Sequence, residues 1–395
     1  MITRLTHGAL VALALLVAPA DAQEVSGQVA VEWRGYFQTP LFPRQPRSSA
    51  SLMLQPELYI ESASQSLLVT PYARLDQTDS ERTHVDIREL QWQYAARAWE
   101  LRLGVGKVFW GVTESQHLVD VINQIDLVEN IDGEDRLGQP MVNVALNRPW
   151  GIVDLFLLPG FRTRTFSGPD GRLRFPARIA TELTQFESGA EERHVDVAAR
   201  WSHVLGDVDL GVAHFHGTGR EPSFLIGADA AGLDVIVPRY DQIDQTSLDL
   251  SLVRGAWLWK LELLNRVGQG DRFAALTGGL EYTVAGLFGT GVDLGLLAEY
   301  LFDERGALAL SPFEDDLFAA TRLALNDVAG TELLSGVIVD RKTGASLINL
   351  EGSRRIGDRW RVSLELRSFV GVPRSDFMYG FSADDHVQLE VTRFF

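Results

Sequence analysis

From Ser26 onward, apolar and polar residues alternate with period two. Val29, Val31, Trp33 and Phe37 interleave with Ala30, Glu32, Arg34 and Tyr36. Trp360, Val362, Leu364 and Leu366 interleave with Arg361, Ser363, Glu365 and Arg367. Such alternation marks a strand with two different faces. Convincing helical periodicity is absent outside the first residues and one or two loops. The pattern predicts strands near 26–38, 51–62, 66–76, 83–96, 98–108, 140–147, 150–160, 192–204, 207–217, 243–254, 256–267, 272–286, 290–303, 316–326, 331–341, 345–355, 358–370 and 384–395. That makes about 18, with 16 the nearest alternative, each near the roughly ten-residue length of a tilted membrane strand. Leu233–Val237 also reads as a strand. It is assigned to a loop, because counting it would make the number odd.

The connections alternate in length. Ala63–Gln65, Arg97, Arg148-Pro149, Leu205-Gly206, Gly255 and Gly357 are tight, and the segments at 39–50, 109–139, 161–191, 218–242, 305–315 and 371–383 are longer. Short turns at one end and longer loops at the other are the habit of a transmembrane β-barrel. In lipid every backbone polar group needs an internal partner, so such a sheet must close on itself. The expected fold is therefore all-β, a single antiparallel barrel over 23–395, with short periplasmic turns and longer external loops.

Two details refine this expectation. His84, Asp86 and Arg88 mark the polar face of their strand, but Leu90, Trp92 and Tyr94 continue the apolar one, so a β-bulge near Arg88–Leu90 is expected. Trp92, Tyr94, Trp99, Trp150, Trp201, Trp257, Trp259, Trp360 and Phe395 cluster near strand ends, mostly beside the short turns, as in an interfacial girdle.

The first residues are an address. Arg4 precedes an apolar stretch from Gly8 to Val17, and Ala20-Asp21-Ala22 fits a signal-peptidase site. A signal peptide over 1–22 is expected, and with it export. The chain has no cysteine, which excludes disulfides, thiolate metal sites and a cysteine nucleophile. Its net charge of −17 argues against a nucleic-acid partner. No later apolar run reaches the roughly 18 residues of a membrane helix.

The signal peptide, the parity of turns and loops, and the final amphipathic strand HVQLEVTRFF (His386–Phe395) together resemble the outer-membrane porins and porin-like barrels of Gram-negative bacteria. The resemblance covers the whole mature chain and is architectural. It implies a location in the cell outer membrane, contact with its lipid and lipopolysaccharide, and Phe395 as a signal to the barrel assembly machinery. Homotrimer and monomer are both compatible with it. The run Trp110–Asn123, WGVTESQHLVDVIN, is similar to segments of poorly characterised porin-like families, without naming a solute.

The inward phase is polar, including Glu32, Asp86, Asp154, Asp196, Asp249, Lys260, Glu262, Glu281 and Glu390, so water is expected in the lumen. The third long connection, 109–139, is the candidate constriction, since the resemblance implies an inward fold for it. It carries Glu114, Asp120, Asp126 and Glu129. Arg34, Arg74, Arg102, Arg361 and Arg367 on strands 1, 3, 5 and 17 are candidates to face it. An acidic loop opposite a basic wall sets a transverse field and an ion preference. The bland alternatives are a solvated external loop, or acids that bind divalent cations bridging lipopolysaccharide.

Other constellations carry less. His214-x-His216 with His203 lacks a third ligand defined by sequence. No GxSxG elbow is present, and Ser202 and His203 point to opposite faces of a strand. The expected function is a porin without enzymatic activity, metal or cofactor, passing small polar solutes and ions by passive or weakly selective diffusion. The alternatives are a plugged, substrate-specific transporter of hydrophobic or aromatic compounds, and a barrel enzyme.

Overall fold

The computed structural model describes residues 22–395, and the expected signal peptide lies outside them apart from Ala22. Strands β1 (Ala22–Tyr36), β2 (Ser48–Ser62), β3 (Gln65–Asp76), β4 (His84–Ala95), β5 (Trp99–Gly106), β6 (Gln139–Arg148) and β7 (Gly151–Pro159) form a meander. After a short β8 (Gln185–Phe186) it continues through β9 (Val195–Leu205) and β10 (Val208–Thr218). β11 (Ser223–Ala228) and β12 (Asp234–Tyr240) belong to a loop. The meander resumes with β13 (Gln242–Arg254), β14 (Trp257–Gly268), β15 (Gly270–Val284), β16 (Asp293–Asp303) and β17 (Asp315–Ala324). It ends with β18 (Glu332–Asp340), β19 (Ser346–Ile356), β20 (Trp360–Val370) and β21 (His386–Phe394).

Eighteen of these strands pair antiparallel in a single sheet, and β1 pairs with β21, so the sheet is a closed barrel. The remaining three form a small separate sheet. The Leu233–Val237 stretch is thus a strand, but one that pairs with β11 and β8 outside the wall. The seam is completed by the last residue: Gly27 and Phe395 exchange both backbone hydrogen bonds, at 3.0 and 3.1 Å. A Cβ on Gly27 would stand 2.9 Å from the Phe395 ring, so the glycine makes room for it.

The alternation has a structural reason. On β1, Val31 and Trp33 are exposed on the outer face while Glu32 and Arg34 are buried within. On β17, Leu317 points out and Phe318 points in. An exterior so rich in exposed apolar side chains is stable only against lipid. Trp92, Trp99, Trp150, Trp201, Trp257, Trp259 and Trp360 lie toward the turn end, where Trp257 packs against Trp259 and Tyr282.

The phase break in β4 is a bulge. Thr70 faces Glu89 and Pro71 faces Ile87, which leaves Arg88 without a partner on β3. The extra residue turns the Arg88 side chain into the lumen, where it is buried. Its carbonyl is pushed outward from β4, and only a glycine fits beside it, since a Cβ on Gly138 would lie 2.2 Å from that oxygen.

Candidate functional site

Residues 107–138, which connect β5 to β6, cross the inside of the barrel. Asn123 fastens the base of this loop. Its amide donates to the carbonyls of Gly106 and Leu137, and its oxygen accepts from Val108 N, at 2.8 to 2.9 Å. One flank is apolar: Trp110, Val119, Val121 and Ile122 pack on Met141, Phe156, Ala198, Phe215 and Ile243 of the inner wall. Burying such side chains stabilises the loop by roughly 1.5–3 kcal/mol each.

Two carboxylates of the opposite wall grip the leading segment. Glu262 of β14 is fully buried. Its Oε1 accepts from Val112 N at 2.7 Å, Thr113 N at 3.0 Å and the Thr113 hydroxyl at 2.7 Å, and its Oε2 accepts from Val119 N at 3.2 Å. Glu299 of β16 accepts from Glu114 N, Ser115 N and the Ser115 hydroxyl, at 2.6 to 2.9 Å. A buried carboxylate is tolerated where several donors replace its water.

The trailing segment rests on a basic seat across the barrel. Arg88 meets Asp126 at 2.5 Å, and Arg74 meets Glu129 at 2.7 Å. Arg34 and Arg82 donate to the carbonyls of Glu129 and Val128. Arg367 donates to the Asn130 side chain and pairs with Asp132. Glu32 contacts Arg34, Arg74 and Arg82 at 2.8 to 3.2 Å, and Glu129 and Asp76 balance the remaining charge of Arg74 and Arg82. His84, Asp126 and Glu129 bring ligand-type atoms within 4.8 Å of one another. The guanidiniums of Arg88 and Arg74 already hold both of those carboxylates, so this cluster balances its charge without a cation.

Of the residues singled out from the sequence, Arg34, Arg74 and Arg367 touch the loop. Arg102 and Arg361 lie in the turn half of the barrel and make no hydrogen bond or ion pair with it among the described residues. Arg102 pairs with Glu100, and Arg361 lies over the Phe394 ring. Glu114 reaches Lys260 and Arg322, and Asp120 reaches Arg136. Acid and base therefore meet at contact distance rather than across an open gap. Glu262 shows in the alternation as an inward residue, but nothing in the sequence names its partner about 150 residues away. Arg82 and Glu299 give no signal of their role at all. His214 and His216 lie on the exposed face, bonded to Thr246 and Asp244.

Above the loop, toward the long connections, a cavity of about 550 Å³ opens against β14 to β20. Its lining mixes apolar side chains such as Leu118, Leu264, Phe273 and Phe318 with arginines. His117 at its edge is paired with Glu134 at 3.0 Å. Burial alone would lower the imidazole's pKa, but the hydrogen bond and charge of Glu134 outweigh it and hold the pKa above its ordinary value.

The closed barrel has parallels among solved structures. A BenF-like porin from Pseudomonas fluorescens Pf-5 aligns over 96% of this chain and 99% of its own, with a TM-score of 0.56 and 9% identity. Wzi of Escherichia coli, a carbohydrate-binding outer-membrane barrel, aligns over 98% and 87%, with a TM-score of 0.53 and 9% identity. The chain has the fold of the outer-membrane porins and porin-like barrels. No family model matches the sequence of this porin-like barrel. No curated protein matches it either.

Proposed function

We propose that this porin-like barrel lies in the outer membrane and passes small solutes through a lumen restricted by residues 107–138, so that passage is solute-selective rather than open. The observation that carries this reading is the attachment of the loop to opposite walls. Glu262 and Glu299 hold its leading segment, while Arg74 and Arg88 hold its trailing one. A loop bound at both sides by buried charge-assisted contacts does not swing aside freely. Substrate-specific passage is favoured over free diffusion of polar solutes, because the space left above the loop is a cavity whose lining mixes apolar and charged side chains. It treats the chain as a passage that needs neither a catalytic residue nor a cofactor.

Single-channel recording in a planar bilayer tests this reading. Folded, inserted protein should give small or no steps in KCl. Large stable steps would restore the open diffusion pore expected from the polar inner face. A hydrolytic activity abolished by one serine substitution would replace both with an enzyme.

A further inference from the structure

The loop-side cavity has two poles of opposite charge. Around Arg164 the lining arginines are Arg136, Arg164, Arg220, Arg266 and Arg305. Four of them have a carboxylate of their own: Asp120 for Arg136 at 2.9 Å, Asp196 for Arg220 at 2.7 Å, Glu221 for Arg266 at 2.9 Å and Asp303 for Arg305 at 2.6 Å. Arg164 has none within 4.0 Å among the described residues. It donates only to the side-chain oxygen of Gln124 and the carbonyl of Arg220. Five guanidiniums against four carboxylates leave one positive charge, and it lies on Arg164.

The other pole lies at β19 and β20. Glu351 lines the cavity, accepts from Asn349 and has no basic partner among the described residues. Beside it, Glu365 and Asp132 share the single Arg367, at 2.7 and 3.3 Å. Three carboxylates against one guanidinium leave this pole negative. One buried acceptor there, Asn349 Oδ1, has no hydrogen-bond donor. The buried Arg220 Nη2 at the first pole has no acceptor. Between the poles the lining includes the apolar Leu264, Phe273, Phe318, Leu334, Ile338 and Phe381, and the polar Glu114, Ser115 and Gln116 also reach it.

We infer that this cavity binds a zwitterionic solute with an apolar body, its anionic group at Arg164, its cationic group at Glu351 and its body on the phenylalanine and leucine lining. A buried charge without a partner is costly, and a ligand that brings the opposite charge recovers that cost. An apolar body supplies the contact area, and the two poles set its direction across the lumen. A short apolar peptide or a large apolar amino acid has this chemistry. The inference rests on the restricted-channel reading for the site's role as a stop on the way through.

Binding is measured without flux, by equilibrium dialysis of the folded barrel in amphipol. The probes share one skeleton: phenylalanyl-leucine, its N-acetyl derivative, which is only anionic, and its amide, which is only cationic. Phenylalanyl-leucine should bind saturably, one per barrel, at least about tenfold tighter than either derivative, which corresponds to ~1.4 kcal/mol. Arg164→Gln should weaken the dipeptide but leave the amide unchanged, and Glu351→Gln should weaken the dipeptide but leave the N-acetyl form unchanged. Arg164→Lys keeps the charge and should keep most of the affinity, which separates loss of the site from loss of the fold. Leu334→Trp fills the cavity and should abolish binding while both poles remain. Equal binding of the three probes, or a dipeptide indifferent to Arg164→Gln and Glu351→Gln, overturns the inference. The two readings fail separately. Large KCl steps from a barrel that binds the dipeptide would remove the restriction and keep the site, whereas small steps without binding would do the reverse.

Discussion

Thr113 gives Glu262 two hydrogen bonds at once, from its amide at 3.0 Å and its hydroxyl at 2.7 Å, across the width of the barrel. One wall carboxylate thereby fixes the leading segment of a loop that starts on the far side. Glu262→Ala removes four acceptor contacts. Charge-assisted bonds contribute about 1.5–3 kcal/mol each, so the segment should lose at least ~3 kcal/mol of local stability. The expected outcome is faster hydrogen exchange at Val112, Thr113 and Val119 and larger conductance steps, from a barrel that still resists SDS. Glu262→Gln keeps an acceptor oxygen and should show a smaller effect. Unchanged exchange would mean the apolar flank alone holds the loop.

Arg88 and Asp126 form a buried pair beside the bulge. Arg88→Ala leaves a carboxylate of zero exposure without its main partner, which costs about 3–5 kcal/mol. The thermal transition should fall clearly in SDS gel-shift assays. The double substitution Arg88→Met with Asp126→Leu should recover much of the loss, because no charge is then stranded. If the double variant is no better than the single one, the bulge depends on the guanidinium for more than charge balance.

The loop acids are paired, so neutralising them exposes their bases. Glu114→Gln, Asp120→Asn and Asp126→Asn together free Lys260, Arg322, Arg136 and Arg88 from those partners. The reversal potential in a KCl gradient should move toward anion preference. An unmoved potential would place the permeation path away from this loop.

The His117–Glu134 pair gives a pH dependence with a definite sign. The folded pKa of His117 is raised, so the pair contributes its full stability below the free imidazole value of about 6.5 and loses it as pH rises through the folded value. While Glu134 stays ionised, exchange protection of residues 114–120 should be constant on the acid side of the His117 titration and fall on the alkaline side. His117→Asn should flatten that profile, and a profile that persists in the variant would assign it elsewhere.

Phe395 completes the seam with Gly27. Deleting it removes both closing hydrogen bonds and the ring that fits over the glycine. The yield of heat-modifiable barrel in the membrane fraction should drop several-fold, and Phe395→Tyr should restore it. Full assembly without residue 395 would refute the expectation that it is an assembly signal.

The barrel was legible because a strand facing lipid on one side and a wet lumen on the other must alternate at every step, and the wall strands do so apart from the break at Arg88. Strand number and the bulge at Arg88 follow from that local rule, whereas the parity of turns and loops fails where one residue joins β14 to β15 on the loop side. Even the 233–237 stretch could be set aside on parity, and it is indeed a strand outside the wall.

What the sequence determined by itself is thus the wall and which side chains point inward, since period two is a property of each strand alone. What only the tertiary structure decided is which inward groups meet. Arg74 and Arg102 look alike along the chain, yet one seats Glu129 and the other stays beside Glu100. Glu262 and Thr113 are separated by 149 residues, and closure of the ring alone brings them together. Charge pairing across a lumen depends on a distance in space that no local pattern encodes, so the loop's path, the cavity above it and its two poles had to be seen in three dimensions.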